Sequence, residues 1–186
     1  MLPPRVLIIL VDGVEEIEAV GPANILRHAG IEVTLAGLFG LEPIICSTRT
    51  RILPDMLVDE ALKDENYDVI VVPGGVTGSD NFAKEPRVGS ILRSQLSSGG
   101  YVAAICAAPL VLAAHGIAKG ATVTSYPSAR EQMEQAEYKY SEDRVVVDGK
   151  LITSRGPGTT FDFSLKIIEI LLGSEEAKKK REMMIV

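Results

Sequence analysis

Two residue types that build small, stapled or metal-bound proteins are nearly missing from this chain. Its 186 residues include 2 cysteines and 2 histidines. Cys46 and Cys106 lie far apart, and two thiols are too few for a disulfide framework. With only His28 and His115 beside them, a closed zinc site lacks ligands, so no metal is expected. Positive charge is also short: 19 Lys and Arg stand against 25 Asp and Glu, for a net charge of −6. Such a chain does not offer the basic face that nucleic acid requires, and no stable nucleic-acid complex is expected. No apolar run reaches the length of a bilayer span, so no membrane span is expected. The opening stretch, "MLPPRVLIILVDG", lacks the basic region, long apolar region and small-residue cleavage site of a signal peptide. The cytoplasm is therefore the expected compartment.

What is present is a hydrophobic content of 46% beside 24% charged residues, an ordinary globular balance with enough length for a sizeable core. No repeat, low-complexity stretch or linker divides the chain, so residues 1–186 are expected to form a single domain. The runs "RVLIILV" (5–11), "EVTLAG" (32–37), "DVIVVPGG" (68–75) and "YVAAIC" (101–106) are short, β-branched and almost continuously apolar. Strands of a parallel sheet look like this when helices cover both faces. Between them, 14–30 reads as a helix closed by Gly30, and 80–100 carries a helix with Pro86 at its start. A short helix follows Cys106 and stops at Gly116. The stretch "RVVVDGKLITS" (144–154) places Asp148-Gly149 between two alternating runs, which signals a β-hairpin. A further helix opens in 156–173, with Thr159 as N-cap and Asp162 three residues on. The tail reads as an amphipathic helix with a basic patch, "KKKR" at 178–181. The fold class is α/β, with a mostly parallel sheet and one hairpin.

In an open α/β sheet, ligands bind beyond the carboxyl ends of the strands. Two such ends stand out, "VVPGG" and "AAICAAP". The second has the form strand, turn, helix, with Ala104, Ala107 and Ala108 crowded around Cys106. Small neighbours are what a nucleophile on a sharp turn needs, and a helix starting just beyond would favour the thiolate. A lone cysteine in an apolar run is also commonly a small buried hydrophobe, so both readings stay open. Gly74-Gly75 could offer backbone N–H groups to a reacting oxygen, or be a plain tight turn. Glu15, Glu16 and Glu18 begin the first helix, where acids are favoured anyway. One of them, if buried beside Cys106, would stay protonated and could shuttle protons, but spacing does not choose among them. A Cys–His dyad has little support: Ala107 follows the cysteine, His28 ends the first helix, and His115 ends the helix after Cys106.

Taken together, Glu18 after "VDGVEEIE", the turn "VVPGG", "AAICAAP" around Cys106 and "LITSRGPGTTFDFSLKI" (151–167) resemble the ThiJ/PfpI superfamily, and within it the parkinsonism-associated protein deglycase branch. The resemblance runs from about residue 5 to about residue 172. It implies a flavodoxin-like three-layer sandwich, a homodimer, and no cofactor. It implies Cys106 as nucleophile and oxidation-sensitive site, Glu18 hydrogen-bonded to its sulfur, and Gly75 and Ala107 as oxyanion donors with Gly74 in the same turn. Tyr126, Arg155 and Pro157 are expected around the pocket, and Cys46 as a core residue, a dimer contact or a secondary oxidation site. Close relatives carry a histidine where Tyr126 stands, and a phenol is a poor base at neutral pH, so proton transfer falls more heavily on Glu18. His28 replaces a frequent arginine.

The activity that the resemblance implies is glutathione-independent glyoxalase and deglycase chemistry on methylglyoxal, glyoxal and their early adducts on proteins and nucleotides. The alternative is a redox sensor and redox-dependent chaperone, in which Cys106 oxidises with little turnover. Nuclear and mitochondrial pools accompany the cytoplasmic one in that family.

Overall fold

The computed structural model describes residues 2–63 and 66–186. From the amino end come β1 (Arg5–Leu10), α1 (Glu16–His28), β2 (Glu32–Gly37), the short β3 (Ile44–Ile45), β4 (Arg51–Ile52) and β5 (Met56–Leu57), then α2 (Val58–Ala61) and β6 (Val69–Val72). The middle of the chain holds α3 (Val76–Lys84), α4 (Pro86–Ser97), β7 (Tyr101–Ile105), α5 (Pro109–Ala114), β8 (Thr122–Val123), α6 (Arg130–Gln135) and β9 (Lys139–Tyr140). The last elements are β10 (Val145–Asp148), β11 (Leu151–Ser154), α7 (Thr160–Leu172) and α8 (Ser174–Met183).

Among the described residues the main sheet has seven strands in the order β10-β11-β7-β6-β1-β2-β5. All neighbours run parallel except the β10–β11 hairpin. The sequence places the four long strands correctly because each is apolar on both faces: Val6 to Leu10 of β1 and Val69 to Val72 of β6 are 0–1% exposed. From β1 the chain moves one way to β2; from β6 it moves the opposite way to β7. Right-handed crossovers then put α1 and α4 on opposite faces, giving the three-layer flavodoxin-like sandwich. α1 packs on α7, and α7 on α8. The strand order reverses between β1 and β6, so a crevice opens at their carboxyl ends.

Two local expectations are corrected, at Thr159 and Asp162. The 80–100 stretch carries the expected helix from Pro86, α4, and also holds the end of α3. Glu85 is extended (φ −96°, ψ 106°) because it precedes Pro86, and its side chain caps Arg87 N–H at 3.1 Å. Thr159 makes no capping bond to α7; its Oγ1 instead accepts the N–H groups of Arg155 (3.1 Å) and Gly156 (3.0 Å). Asp162 turns away to pair with Arg144 (2.8 Å) and Arg181 (3.0 Å), which ties α8 down onto α7. Among the described residues no helix is long and apolar enough to cross a membrane.

Candidate active site

The chain leaves β7 at Ile105 and turns sharply at Cys106, whose φ is +65°. A residue with a Cβ pays roughly 1–3 kcal/mol for such a conformation, so the surroundings must enforce it. They do. Cys106 N–H donates to Ser154 O at the end of β11 (3.0 Å), and its carbonyl accepts Tyr126 N–H (2.8 Å). Ala108 N–H bonds back to Ile105 O at 3.0 Å, closing the turn before α5. Ala104 and Ala108 are fully buried and Ala107 nearly so, leaving no volume for larger side chains. A merely space-filling thiol does not need such a turn.

Glu18 is the acid that the fold selects. It is 0% exposed in the first turn of α1, while Ile17 and the carboxyls of Glu15 and Glu16 face partly outward. Its Oε2 accepts Gly74 N–H at 2.9 Å, its Oε1 has no partner among the described residues, and the carboxyl lies in hydrogen-bonding reach of the Cys106 thiol. Burial pushes it up to about 8, so it holds a proton at neutral pH. Glu15 instead caps the helix, accepting Glu18 N–H at 2.9 Å. Glu16 binds the hydroxyls of Ser47 (2.9 Å) and Thr48.

Cys106 departs from the expectation of a favoured thiolate: burial pushes the thiol up to about 12, with the Glu18 charge adding to it. The N–H groups of Gly75 and Ala107, both hydrogen-bonded to the sulfur, work the other way. The Glu18 contribution exists only when that carboxyl is ionised. With the proton on Glu18 the repulsion is gone, and the two N–H donors stand against burial alone. Carboxyl and thiol each shift the other, so the pair titrates as a unit.

The glycines of "VVPGG" are required by close approach. A Cβ on Gly74 would lie 2.5 Å from Glu18 Oε2 and 2.6 Å from Cys106 Cβ. Gly75 has φ +89°, and a Cβ there would collide with Gly13 O. The β1–α1 loop and the β6–α3 loop interlock: Glu15 N–H donates to Gly74 O (3.0 Å) and Gly78 N–H to Gly13 O (3.0 Å).

Cys106, Gly75 and Ala107 open onto a cleft of about 530 Å3. Val76, Leu110 and the exposed ring of Tyr126 supply apolar wall; Ser47, Ser79, Asp80, Ser128 and Gln132 supply polar wall. These five do not stand out in the sequence, because polar residues on helices and loops carry no pattern until the fold gathers them. Gly74 and Glu18 sit behind the cysteine. Arg155 and Pro157 do not line the cleft of the single chain; they lie in the next loop, whose Gly156 faces the Tyr126 ring. His28 is exposed, and His115 Nε2 lies 3.1 Å from Phe82 O, so neither serves Cys106. Cys46 is buried, 4% exposed, and does not line this cleft, although its neighbour Ser47 does.

An α/β sandwich with a cysteine on a strained elbow beside a buried acid at the switch point defines a structural class of proteins. The comparisons narrow it: the DJ-1/PfpI family pattern matches residues 4–170, and this chain belongs to that family. It is 48% identical to the zebrafish (Danio rerio) Parkinson disease protein 7 homolog, over 100% of this chain and 99% of the relative. It is 40% identical to a Caenorhabditis elegans protein named glutathione-independent glyoxalase DJR-1.2, over 95% of this chain and 89% of the relative. The crystal structure of Drosophila melanogaster DJ-1beta superposes with a TM-score of 0.95 at 48% identity, covering 100% of this chain and 99% of that one.

Proposed function

We propose that the protein is a cysteine-dependent, glutathione-independent glyoxalase that also acts as a deglycase on early methylglyoxal and glyoxal adducts. The observation that carries the reading is the buried, proton-holding Glu18 in reach of Cys106, with the N–H groups of Gly75 and Ala107 at the sulfur. The name of the nematode relative supports it.

In this mechanism the Cys106 thiolate, the minor ionised form beside protonated Glu18, adds to the aldehyde carbon of methylglyoxal. The carbonyl electron pair moves onto oxygen, where the two N–H donors stabilise it and Glu18 delivers its proton, giving a hemithioacetal. Glu18, now ionised, removes the hydrogen from that carbon and returns it at the neighbouring carbon of the enediolate, while the hydroxyl proton passes to the neighbouring oxygen. The product is a lactoyl thioester, which water cleaves to lactate and the free thiol. An adduct on an amine would meet the same nucleophile. A homodimer belongs to the same proposal, supported by the exposed Ile17 and Val20 on α1.

The test is lactate formation from methylglyoxal without glutathione, for the wild type and for Cys106→Ala and Glu18→Gln. Turnover lost in both variants is expected; turnover retained in Glu18→Gln with Cys106 still reactive would sink the mechanism. The second reading is a redox sensor. The Glu18 proton and the Gly75 and Ala107 donors that favour it would hold a Cys106 sulfinate equally well. Selective peroxide-dependent mass gain on Cys106 in a protein without turnover would favour that reading.

A further inference from the structure

The cleft above Cys106 is much larger than a three-carbon aldehyde, so its walls must do the choosing. Among the described residues that line it there is no Lys, Arg or His. Its one charged side chain is Asp80, exposed on α3 and without a hydrogen bond or ion pair among the described residues. Next to it, Ser79 is 4% exposed, and its hydroxyl has no partner, although a helical serine ordinarily bonds the carbonyl one turn back. A buried hydroxyl left open at the wall of a cleft is a ready partner for a ligand oxygen or N–H. Across the mouth, Ser47 donates its hydroxyl to Glu16 at 2.9 Å, and that carboxylate adds negative charge behind the wall. Arg130, at the start of α6, is committed outward to Glu134 (2.9 Å) and Glu142 (2.8 Å). The only formal charge among the described residues lining the cleft is therefore negative.

We propose that this cleft receives uncharged and positively charged carbonyl compounds and turns away anionic ones, with Asp80 setting the charge preference and the Ser79 hydroxyl offering a neutral hydrogen bond. This rests on the reading of Cys106 as the reacting group and gives that site a substrate class. Free α-oxoaldehydes and adducts on lysine or arginine side chains fit; adducts on nucleotides, and carbonyl compounds bearing carboxylate or phosphate, do not. Among the activities implied by the family resemblance, the structure thus favours repair of proteins over repair of nucleotides.

The test separates this selectivity from turnover by reading thiol chemistry alone. Three methanethiosulfonates of similar shape carry an ammonium, a methyl or a sulfonate group. In each, the cysteine thiolate attacks the sulfenyl sulfur, a mixed disulfide forms, and methanesulfinate leaves. Rates at Cys106 of the full-length protein, followed by mass spectrometry, are compared with those of a free peptide spanning 101–111. The cation-to-anion rate ratio is expected to exceed the peptide's by about tenfold at low salt. Asp80→Asn should cut that excess by about threefold, and Asp80→Lys should bring the ratio to the peptide's value or below. Asp80 is exposed and unpaired, so both variants are expected to fold, which circular dichroism checks. A wild-type ratio equal to the peptide's would overturn the proposal, and a high ratio indifferent to Asp80→Lys would overturn the role of Asp80. The lactate assay can fail while the ratio holds, or succeed while it does not, so the two readings fall separately.

Discussion

Cys46 and Cys106 are both free, both buried, and both pushed above the ordinary thiol value, to about 11 and about 12, with burial as the leading cause. Each has a glutamate of α1 nearby, Glu16 for Cys46 and Glu18 for Cys106. Neither burial nor thiol acidity tells them apart. The backbone and the protonation of the neighbouring acid do. Cys106 stands at φ +65° on a cleft, beside a carboxyl held at about 8 by burial. Cys46 ties its N–H to Thr50 O (2.9 Å) in the turn between β3 and β4. Burial raises its partner Glu16 too, but the hydroxyls of Thr48, Thr50 and Ser47 outweigh that and hold it near about 2. One cysteine faces an acid with a proton to give; the other faces a fixed negative charge. On the proposed function, a reactive thiol is made by what can be exchanged with it.

The largest test of this contrast is stability against pH. Glu18 is raised from 4.5 to about 8 in the folded state, so its stabilising contribution is complete below about pH 4.5 and is lost as pH rises through about 8. The full loss is on the order of 5 kcal/mol. Urea unfolding between pH 5 and 9 should show this decline in the wild type and a flatter profile in Glu18→Gln. Glu16 works in the opposite sense: its contribution is present above about 4.5 and is lost as pH falls through about 2.

Next in size, Cys106→Ala should lower lactate formation by at least about 1000-fold, roughly 4 kcal/mol of barrier. Cys46→Ala should change it less than about twofold while costing about 1 kcal/mol in denaturant unfolding. Equal losses would erase the distinction between the two thiols. Gly74→Ala leaves both cysteines in place but drives a methyl between Glu18 and Cys106. Activity should fall about 100-fold, with destabilisation of about 1–3 kcal/mol. The smallest effect sharpens the other side: Glu16→Gln removes a charge facing Cys46, and its alkylation in the native protein should speed up by about threefold, read by peptide mass. No change there would mean that burial alone protects it.

The four long strands, the hairpin and the helix after Cys106 are legible because continuous apolarity, the Asp148-Gly149 signal and the glycine at 116 each have one cheap structural solution. The short strands between 44 and 57 are not, since two-residue pairings leave no period to read. The split between α3 and α4 was written in the proline, but its consequence for Glu85 surfaces only in the backbone angles. At the site, the small residues around Cys106 announce a tight turn, whereas its positive φ comes from bonds to Ser154 and Tyr126, distant in sequence. Three glutamates in four positions look alike in one dimension. Only the helix's rotation, which buries Glu18 and leaves Glu15 and Glu16 partly exposed, separates the buried acid at Cys106 from the cap and the acid that binds Ser47 and Thr48.

The clasp between the β1–α1 and β6–α3 loops has a consequence for how this protein could change. Gly13, Gly75 and Gly78 meet backbone to backbone, so the segment carrying Glu18 and the segment carrying Gly75 are locked together. Neither can be remodelled without the other, and a side chain at any of the three glycines would jam both. The opposite bank, from Tyr126 to Gln132, is mostly exposed and has no such constraint. Novelty in this scaffold should therefore accumulate on one shore only, where new substrates can be tried while the chemistry stays anchored.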